Sequence, residues 1–423
     1  MFFGDCMILI NRFIWLFVMV LIVYCGCYFS LKLRGIQFRF KSMFKALFSN
    51  NGNISSFGML MTSLAGRIGV GSIAGVCLSI YVGGPGSIFW MWVSTFLCAV
   101  ITYCEVFLGV RYKVRHGSDY YGGPAYYIRD GLGNKFLGGI YSVLIIISYI
   151  GCFLSIQSNT ITKSITHVFS FSPFIVGICI SVVTFFCIYG GFKRIVNVSL
   201  KLVPVMFFIY VGSSILVCVL NYDSILSVFS SIFIEAFNFK SIFGGFIPMV
   251  IIGIQRGIFS NEAGIGTSSI VASSGDNSDG VKQGYIQMLG VYVTTLIVCT
   301  ATAIILLSSD YLSFDFIDVN GIELASNAFR FHFGNVGTYV LIFSVVLFSF
   351  STIVTGYYYG EASFNYFFKD FKYVYILRGV TLVILFFGCV LPSSFLWSVV
   401  DILVGIVVFI NLYSLWVLRD KIN

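Results

Sequence analysis

Charge is what this sequence has least of. Only 10% of its 423 residues are Asp, Glu, Lys or Arg, against about 25% in soluble globular chains. Too few polar side chains remain to cover a water-facing surface, which excludes a soluble enzyme of ordinary kind. The 58% hydrophobic content excludes disorder. Proline is scarce at 6 residues, so breaks in helices fall to glycine, of which there are 43. Histidine occurs only at His116, His167 and His332, and the 12 cysteines contain no CxxC pair. Neither a zinc site nor a disulfide framework follows, and cysteines inside apolar runs read as small hydrophobes. The net charge of +8 does not point to nucleic acid, because the basic residues sit in short loops between apolar runs. No nucleophile–base constellation for hydrolysis is present, and the expectation is a non-enzyme.

Long apolar runs are what the chain has instead. Mean hydropathy is +0.96, and a bilayer span needs about 20 apolar residues. Eleven candidate spans cover approximately 8–29, 54–82, 87–110, 136–160, 173–191, 196–220, 245–274, 283–308, 336–360, 373–391 and 394–418. The first has no small-residue cleavage site and a basic loop follows it at once, so it reads as a retained span rather than a signal peptide. Lys32, Arg34, Arg39, Lys41 and Lys45 fill that loop; Arg111, Lys113, Arg115, Arg129 and Lys135 fill the one after span three. Lys193, Arg194, Lys201, Lys282, Lys369, Lys372 and Arg378 continue the same side, and Arg419 and Lys421 end the chain. The alternate loops hold Lys163, Lys240 and Arg330, the last among Asp310, Asp315, Asp318 and Glu323. The asymmetry places the N-terminus outside and the C-terminus in the cytoplasm of a multi-pass cell-membrane protein.

Two spans differ from the rest. Span two reads Ser63-Leu-Ala-Gly-Arg-Ile-Gly-Val-Gly-Ser-Ile-Ala-Gly75, and span seven reads Gln255-Arg-Gly-Ile-Phe-Ser-Asn-Glu-Ala-Gly-Ile-Gly-Thr-Ser-Ser269. Clustered glycine and polar residues at mid-depth unwind a membrane helix, which is tolerated only where the backbone is buried or lines a cavity. The freed N–H groups face anions and the freed carbonyls face cations. The competing reading is a helix-packing face of small residues, with Gly71 and Gly75 at the right spacing. A nucleotide-binding loop is excluded, since Gly69-x-Gly71 lacks the third glycine and no strand precedes it. Each unusual span opens a set of five, and the two sets start from opposite sides. That is an inverted repeat, the plan of a secondary transporter with a midplane site. Arg67, Glu105, Arg256, Glu262 and Asp401 lie in apolar runs, where a charge costs at least about 2.5 kcal/mol unless paired or hydrated. Arg67 with Glu105 and Arg256 with Glu262 are possible pairs; structural ion pairs and gate or relay groups remain equal readings. Glu361 stands at the end of span nine.

The motifs resemble the alanine/glycine:sodium symporter family. Gly66-Arg-Ile-Gly-Val-Gly-Ser-Ile-Ala-Gly-Val76 and Gly83-Gly-Pro-Gly-Ser-Ile-Phe-Trp-Met-Trp92 carry the likeness first. It continues through Glu105, Gly122-Gly-Pro-Ala-Tyr-Tyr127, Gly191-Phe-Lys-Arg194 and Leu202-Val-Pro204. Arg256-Gly-Ile-Phe-Ser-Asn-Glu-Ala-Gly-Ile-Gly266 is the most specific segment, and Ser349-Phe-Ser-Thr-Ile-Val-Thr-Gly-Tyr-Tyr-Tyr-Gly-Glu361 also matches. The resemblance implies an all-α integral membrane protein with a leucine-transporter-like fold. An extra N-terminal helix and basic loop occupy 1–53, and two inverted five-helix repeats occupy 54–220 and 245–418. It implies import of a small neutral amino acid, alanine or glycine, coupled to sodium, with the bilayer as the other partner and no cofactor beyond the coupling ion. It implies a substrate site of Gly69, Gly71, Ser72, Gln157, Phe259, Asn261, Gly264, Gly266 and Tyr357, with Ile265 nearby. It implies a sodium site of carbonyls at Ala65 and Ile68 with hydroxyls of Ser351 and Thr352. Sodium takes oxygen ligands, and these supply them without a full charge. The bland reading of Ser351-Thr352 is a hydroxyl pair bonded back to its own helix.

The sequence departs from the family pattern in three places. Gly71-Ser72-Ile73 stands where Gly-Asn-Ile is usual, Thr294 where an Asp is frequent, and Tyr357 where Trp is common. These departures carry the alternatives: a carrier coupled to protons or another cation, moving a different small amino acid, or a substrate sensor or decayed carrier that no longer transports.

Overall fold

A computed structural model describes residues 2–49, 54–117, 119–166, 168–238, 245–313, 321–368, 370–391 and 394–422. His167, and Lys240, Asp315, Asp318 and Lys369 of the loop-charge pattern, lie outside the described residues. Helix dominates because backbone in an apolar medium must satisfy its own N–H and C=O groups. All eleven expected runs carry helix. The first lies in α1 (Phe2–Lys32), which a short amphipathic α2 (Phe40–Phe48) follows. Span two divides into α3 (Ser56–Arg67) and α4 (Ala74–Gly83), bent by 70°. Next come α5 (Gly86–Arg111), the antiparallel hairpin β1 (Val114–His116) and β2 (Asp119–Tyr121), and α6 (Pro124–Gly131). The hairpin is a small departure from an all-α chain.

Span four is α7 (Lys135–Ile146) and α8 (Leu154–Thr166), joined by a π-helical stretch at Ile147–Phe153. Then follow α9 (Pro173–Ile188), α10 (Gly191–Leu220) and α11 (Tyr222–Ala236). Span seven divides into α12 (Ile247–Asn261) and α13 (Thr267–Ser273). The remainder is α14 (Gly280–Tyr292), a second π-helical stretch at Val293–Cys299, α15 (Thr300–Leu307), α16 (Gly321–Phe364), α17 (Phe371–Val390) and α18 (Ser394–Val417). Gly334, at φ 60°, kinks α16. Among the described residues eight helical stretches are long and apolar enough to cross a bilayer, and the α3–α4 pair makes a ninth if taken as one.

Local chemistry fixes where these helices begin. Ser55, Asn134, Asp279 and Asp370 each accept a backbone N–H of the first turn with a side-chain oxygen, a cap contributing about 1 kcal/mol. Helix α5 is the most central, packed by α1, α12, α13 and α14, and α16 packs against α3, α8 and α10. Helices α1, α9, α10 and α17 instead turn large side chains outward, among them Phe13, Phe17, Phe186, Phe208 and Phe387. Apolar surface of this extent marks a face that meets a membrane or another protein rather than water. Buried serines and threonines line the inner contacts, where small hydroxyls let helices approach closely.

Candidate functional site

Span two unwinds after Arg67. Ile68 closes α3 by donating its N–H to the Leu64 carbonyl at 2.8 Å. Gly69 is extended, at φ −120° and ψ −164°, and residues 70–72 form one 3-10 turn. Span seven stops at Asn261. Glu262 takes a left-handed φ of 54°, and Gly264 and Gly266 take φ of 79° and 98°. A side chain on Gly266 would collide with Pro124 and Tyr141, so backbone and packing both demand glycine there. The freed carbonyls find partners: Tyr141 donates its hydroxyl to Ile265 at 2.6 Å, and Asn411 donates Nδ2 to Gly264 at 2.8 Å.

Between the two breaks lies a narrow cavity of about 20 Å³, little more than the space of one water molecule. Gly66, Arg67, Gly69, Gly71 and Gly75 line it from span two, and Arg256, Phe259 and Glu262 from span seven. Phe153, Gln157, Thr352 and Trp397 complete the wall. Four of the expected substrate residues therefore meet here: Gly69, Gly71, Gln157 and Phe259. A Cβ on Gly69 would stand 2.6 Å from Thr352 Oγ1 and 3.3 Å from Gln157 Nε2, so the loop, the hydroxyl and the amide touch. Gln157 Oε1 is buried and has no protein donor. Gly71 packs toward the Phe259 carbonyl.

The expected cation ligands divide. Thr352 Oγ1 lies 3.3 Å from the carbonyl oxygens of both Ala65 and Gly66, and 2.9 Å from that of Phe348 in its own helix. Ile68 is buried beside them. Ser351 donates to Phe348 O at 2.9 Å and reaches Met206 Sδ at 3.6 Å, the back-bonded arrangement of a helical serine.

Five other expected residues sit outside the cavity wall. Ser72 pairs its hydroxyl with Ser260 at 2.9 Å, and its carbonyl accepts from Thr302 at 2.8 Å. Asn261 donates to Thr295 at 3.2 Å and accepts the Ala263 N–H at 3.0 Å, an Asx turn that leads the chain out of α12. Gly264 and Gly266 shape the break by backbone conformation. Tyr357 donates to Glu361 and accepts from Arg378 Nε at 3.2 Å. It is five positions from Thr352 in the sequence, which at about 100° per residue puts the two roughly 140° apart around α16. Thr294 bonds back to the Gly290 carbonyl at 2.9 Å.

The buried charges pair differently from the two possibilities read in the sequence. Arg256 Nη2 lies 3.6 Å from Asp401 Oδ2, not beside Glu262. Arg67 donates to the Gln287 carbonyl at 2.9 Å and to the Ser268 hydroxyl. Glu105 accepts Asn411 Nδ2 at 3.0 Å. Glu262 accepts hydroxyls from Tyr149 and Thr267 at 2.8 Å each and from Tyr359 at 3.2 Å. The left-handed turn at Glu262 swings its carboxylate toward those tyrosines and away from Arg256, which sits more than a turn earlier on α12. The cavity wall thus contains two arginines and a glutamate beside the expected glycines, Gln157 and Phe259. Phe153 and Trp397 were missed because only the tertiary fold brings them there. Arg256 and Glu262 carried a usable signal, since both are intramembrane charges beside a break.

A family model described as Sodium:alanine symporter family matches residues 2–423. The amino-acid carrier protein AlsT of Bacillus subtilis is 36% identical over 424 residues, 99% of this chain and 90% of that protein. The probable sodium/glutamine symporter GlnT of the same organism is 33% identical over 96% of this chain and 86% of its own length. The sodium/alanine symporter AgcS of Methanococcus maripaludis is 31% identical over 98% and 94%. Among solved structures, a manganese transporter of Eremococcus coleocola has a similar fold, with a TM-score of 0.57 at 13% identity over 89% of this chain and 81% of that one. With the family matched along its whole length, this chain belongs to the sodium:alanine symporter family and is a multi-pass membrane transporter.

Proposed function

We propose that the protein imports alanine or glycine together with sodium by alternating access. In this reading it has a leucine-transporter-like fold of eleven spans, with α1 preceding two inverted five-span repeats over 54–220 and 245–418. The N-terminus faces outside and the C-terminus the cytoplasm. The observation that carries the reading is the meeting of the Thr352 hydroxyl with the Ala65 and Gly66 carbonyls at 3.3 Å, beside Gly69 and Gln157. An unwound helix end and a hydroxyl from a second helix supply oxygen ligands to a small cation at mid-membrane. Ala65, Ile68 and Thr352 take that role, with Ser351 joining after a change of rotamer.

The amino acid occupies the cavity next to the ion. N–H groups of the span-two break receive its carboxylate, and the unpaired Gln157 Oε1 accepts from its ammonium. Phe153, Phe259 and Trp397 crowd the cavity, so that a small side chain is favoured once the site opens to admit it. The ion joins α3 to α16, so its occupancy and the shape of the loop at Gly69 are linked, which is the physical requirement for coupling. The names of two relatives, one sodium/alanine and one sodium/glutamine symporter, support the class and set the comparison to make. The test is uptake of labelled alanine into proteoliposomes with an inward sodium gradient, a proton gradient or neither, with glycine, glutamine, leucine and lysine as competitors. Sodium-driven uptake blocked best by alanine and glycine is expected. Uptake driven by protons alone, blocked best by glutamine, or absent would overturn it.

A further inference from the structure

Arg256 lines the cavity and pairs with Asp401 behind it. Arg256 lies on α12 a turn before the break, Asp401 lies early in α18, and Gly75 of α4 packs under the arginine stem with a Cβ position 3.7 Å from Arg256 Cδ. These belong to the halves of their spans that lead away from the basic loops, the outer side in the proposed orientation. The guanidinium also sits over the Phe259 ring at 5.5 Å, and Trp15 of α1 packs against that ring with centroids 5.5 Å apart.

The ion pair is poorly made. A guanidinium opposite a carboxylate usually forms two parallel bonds of about 2.8 Å, whereas here Nη2 and Oδ2 are 3.6 Å apart, beyond hydrogen-bond distance. Asp401 Oδ1 is buried with no partner. Asp401 nevertheless has other holders: Asn11 Nδ2 at 3.3 Å and Gln255 Nε2 at 3.4 Å reach its carboxylate, and Trp15 Nε1 donates to its backbone carbonyl at 3.1 Å. The carboxylate therefore keeps polar contacts when the arginine leaves. Arg256 is the more exposed partner, with 19% of its side chain accessible against 8% for Asp401, and it already borders the cavity.

We propose that Arg256 is the capture site for the carboxylate of the incoming amino acid. The arginine exchanges Asp401 for the substrate's carboxylate at the outer mouth, then returns to Asp401 once the amino acid has moved to the break in span two. A free carboxylate offers two coplanar oxygens to the guanidinium, a better match than the single long contact it replaces. Asp401 acts as the resting partner that keeps the arginine from being a bare charge. The inference rests on the amino-acid reading above and adds a second, outer station to it.

The experiment measures initial alanine uptake into proteoliposomes for wild type, Arg256→Gln, Arg256→Lys and the double variant Arg256→Gln/Asp401→Asn, with alaninamide as a competitor that lacks the carboxylate. Loss of a charge-assisted contact made on the way in raises the KM for alanine about tenfold or more, with kcat changed far less. Arg256→Lys, which keeps charge but not the fork, falls between. Alaninamide inhibits wild type and variants equally. The double variant leaves no unpaired charge behind, so it reports if the single variant fails to insert, and it shows the same rise in KM. A KM within twofold of wild type in the double variant overturns the inference, as does a parallel loss of alanine and alaninamide affinity, which marks a packing role. A wild type that takes up no alanine refutes the functional reading itself, and this inference with it.

Discussion

Replacing Gly69 by alanine puts one methyl group at the junction of the proposed ion and substrate sites. The backbone there, at φ −120° and ψ −164°, accepts any residue, so the effect comes from contact alone. The new carbon would stand 2.6 Å from Thr352 Oγ1, where a carbon and an oxygen rest at roughly 3.3 Å or more. Thr352 is β-branched and stiff at χ1 in a helix, and its present rotamer is held by the 2.9 Å bond to Phe348. Either the hydroxyl turns away from the Ala65 carbonyl or the loop moves. Overpacking of this kind costs about 1–3 kcal/mol, which corresponds to a rise of roughly 5- to 150-fold in the sodium concentration giving half-maximal uptake. The assay is initial alanine uptake against sodium concentration at matched expression. Gly71→Ala is the control, since its nearest neighbour would be the Phe259 carbonyl at an ordinary 3.6 Å. Equal sodium curves for wild type and Gly69→Ala, or a larger shift in Gly71→Ala, would refute the placement of the ion beside Gly69.

Thr352→Ala should abolish sodium-stimulated uptake while the protein stays in the membrane, because one hydroxyl costs the fold only about 0.5–1.5 kcal/mol; membrane abundance and sodium dependence are measured together. Ser351→Ala should weaken sodium dependence less, since that hydroxyl rests against Phe348 and Met206. Tyr357→Phe should leave the order of competing amino acids unchanged, because its hydroxyl serves Glu361 and Arg378; a reordered competition series would put Tyr357 back in the pocket. A cysteine at Lys41, with the native cysteines replaced, should resist an impermeant maleimide applied outside intact cells, and rapid labelling would reverse the proposed orientation.

The helical runs and both breaks were legible because their causes are local. Apolar length sets a span, and Gly69, Gly71, Gly264 and Gly266 supply the backbone freedom where two spans unwind. The short elements were not legible. Helices α2 and α6 and the hairpin at 114–121 are too brief for hydrophobic periodicity to stand out. The π-helical stretches inside spans four and eight leave no mark in an apolar run. Within the site, family motifs led to Gly69, Gln157, Phe259 and Thr352, which converge on one cavity. Tyr357 shows the limit of matching position by position, since a turn and a half of helix separates it from Thr352. The charges show another limit: Asp401 is 145 residues from Arg256, and only the packing of α1 against both α18 and α12 brings them together.

Equilibrium binding of alanine to the purified protein in sodium and in potassium tests the coupling claim without any transport step. If one cation joins the Ala65 carbonyl to Thr352 beside the amino-acid cavity, alanine binds more tightly in sodium, and alanine tightens sodium binding by the same factor. Calorimetric titrations run in both orders measure the two factors. The account predicts that they are equal and well above one. Alanine binding with the same affinity in sodium and potassium would contradict it.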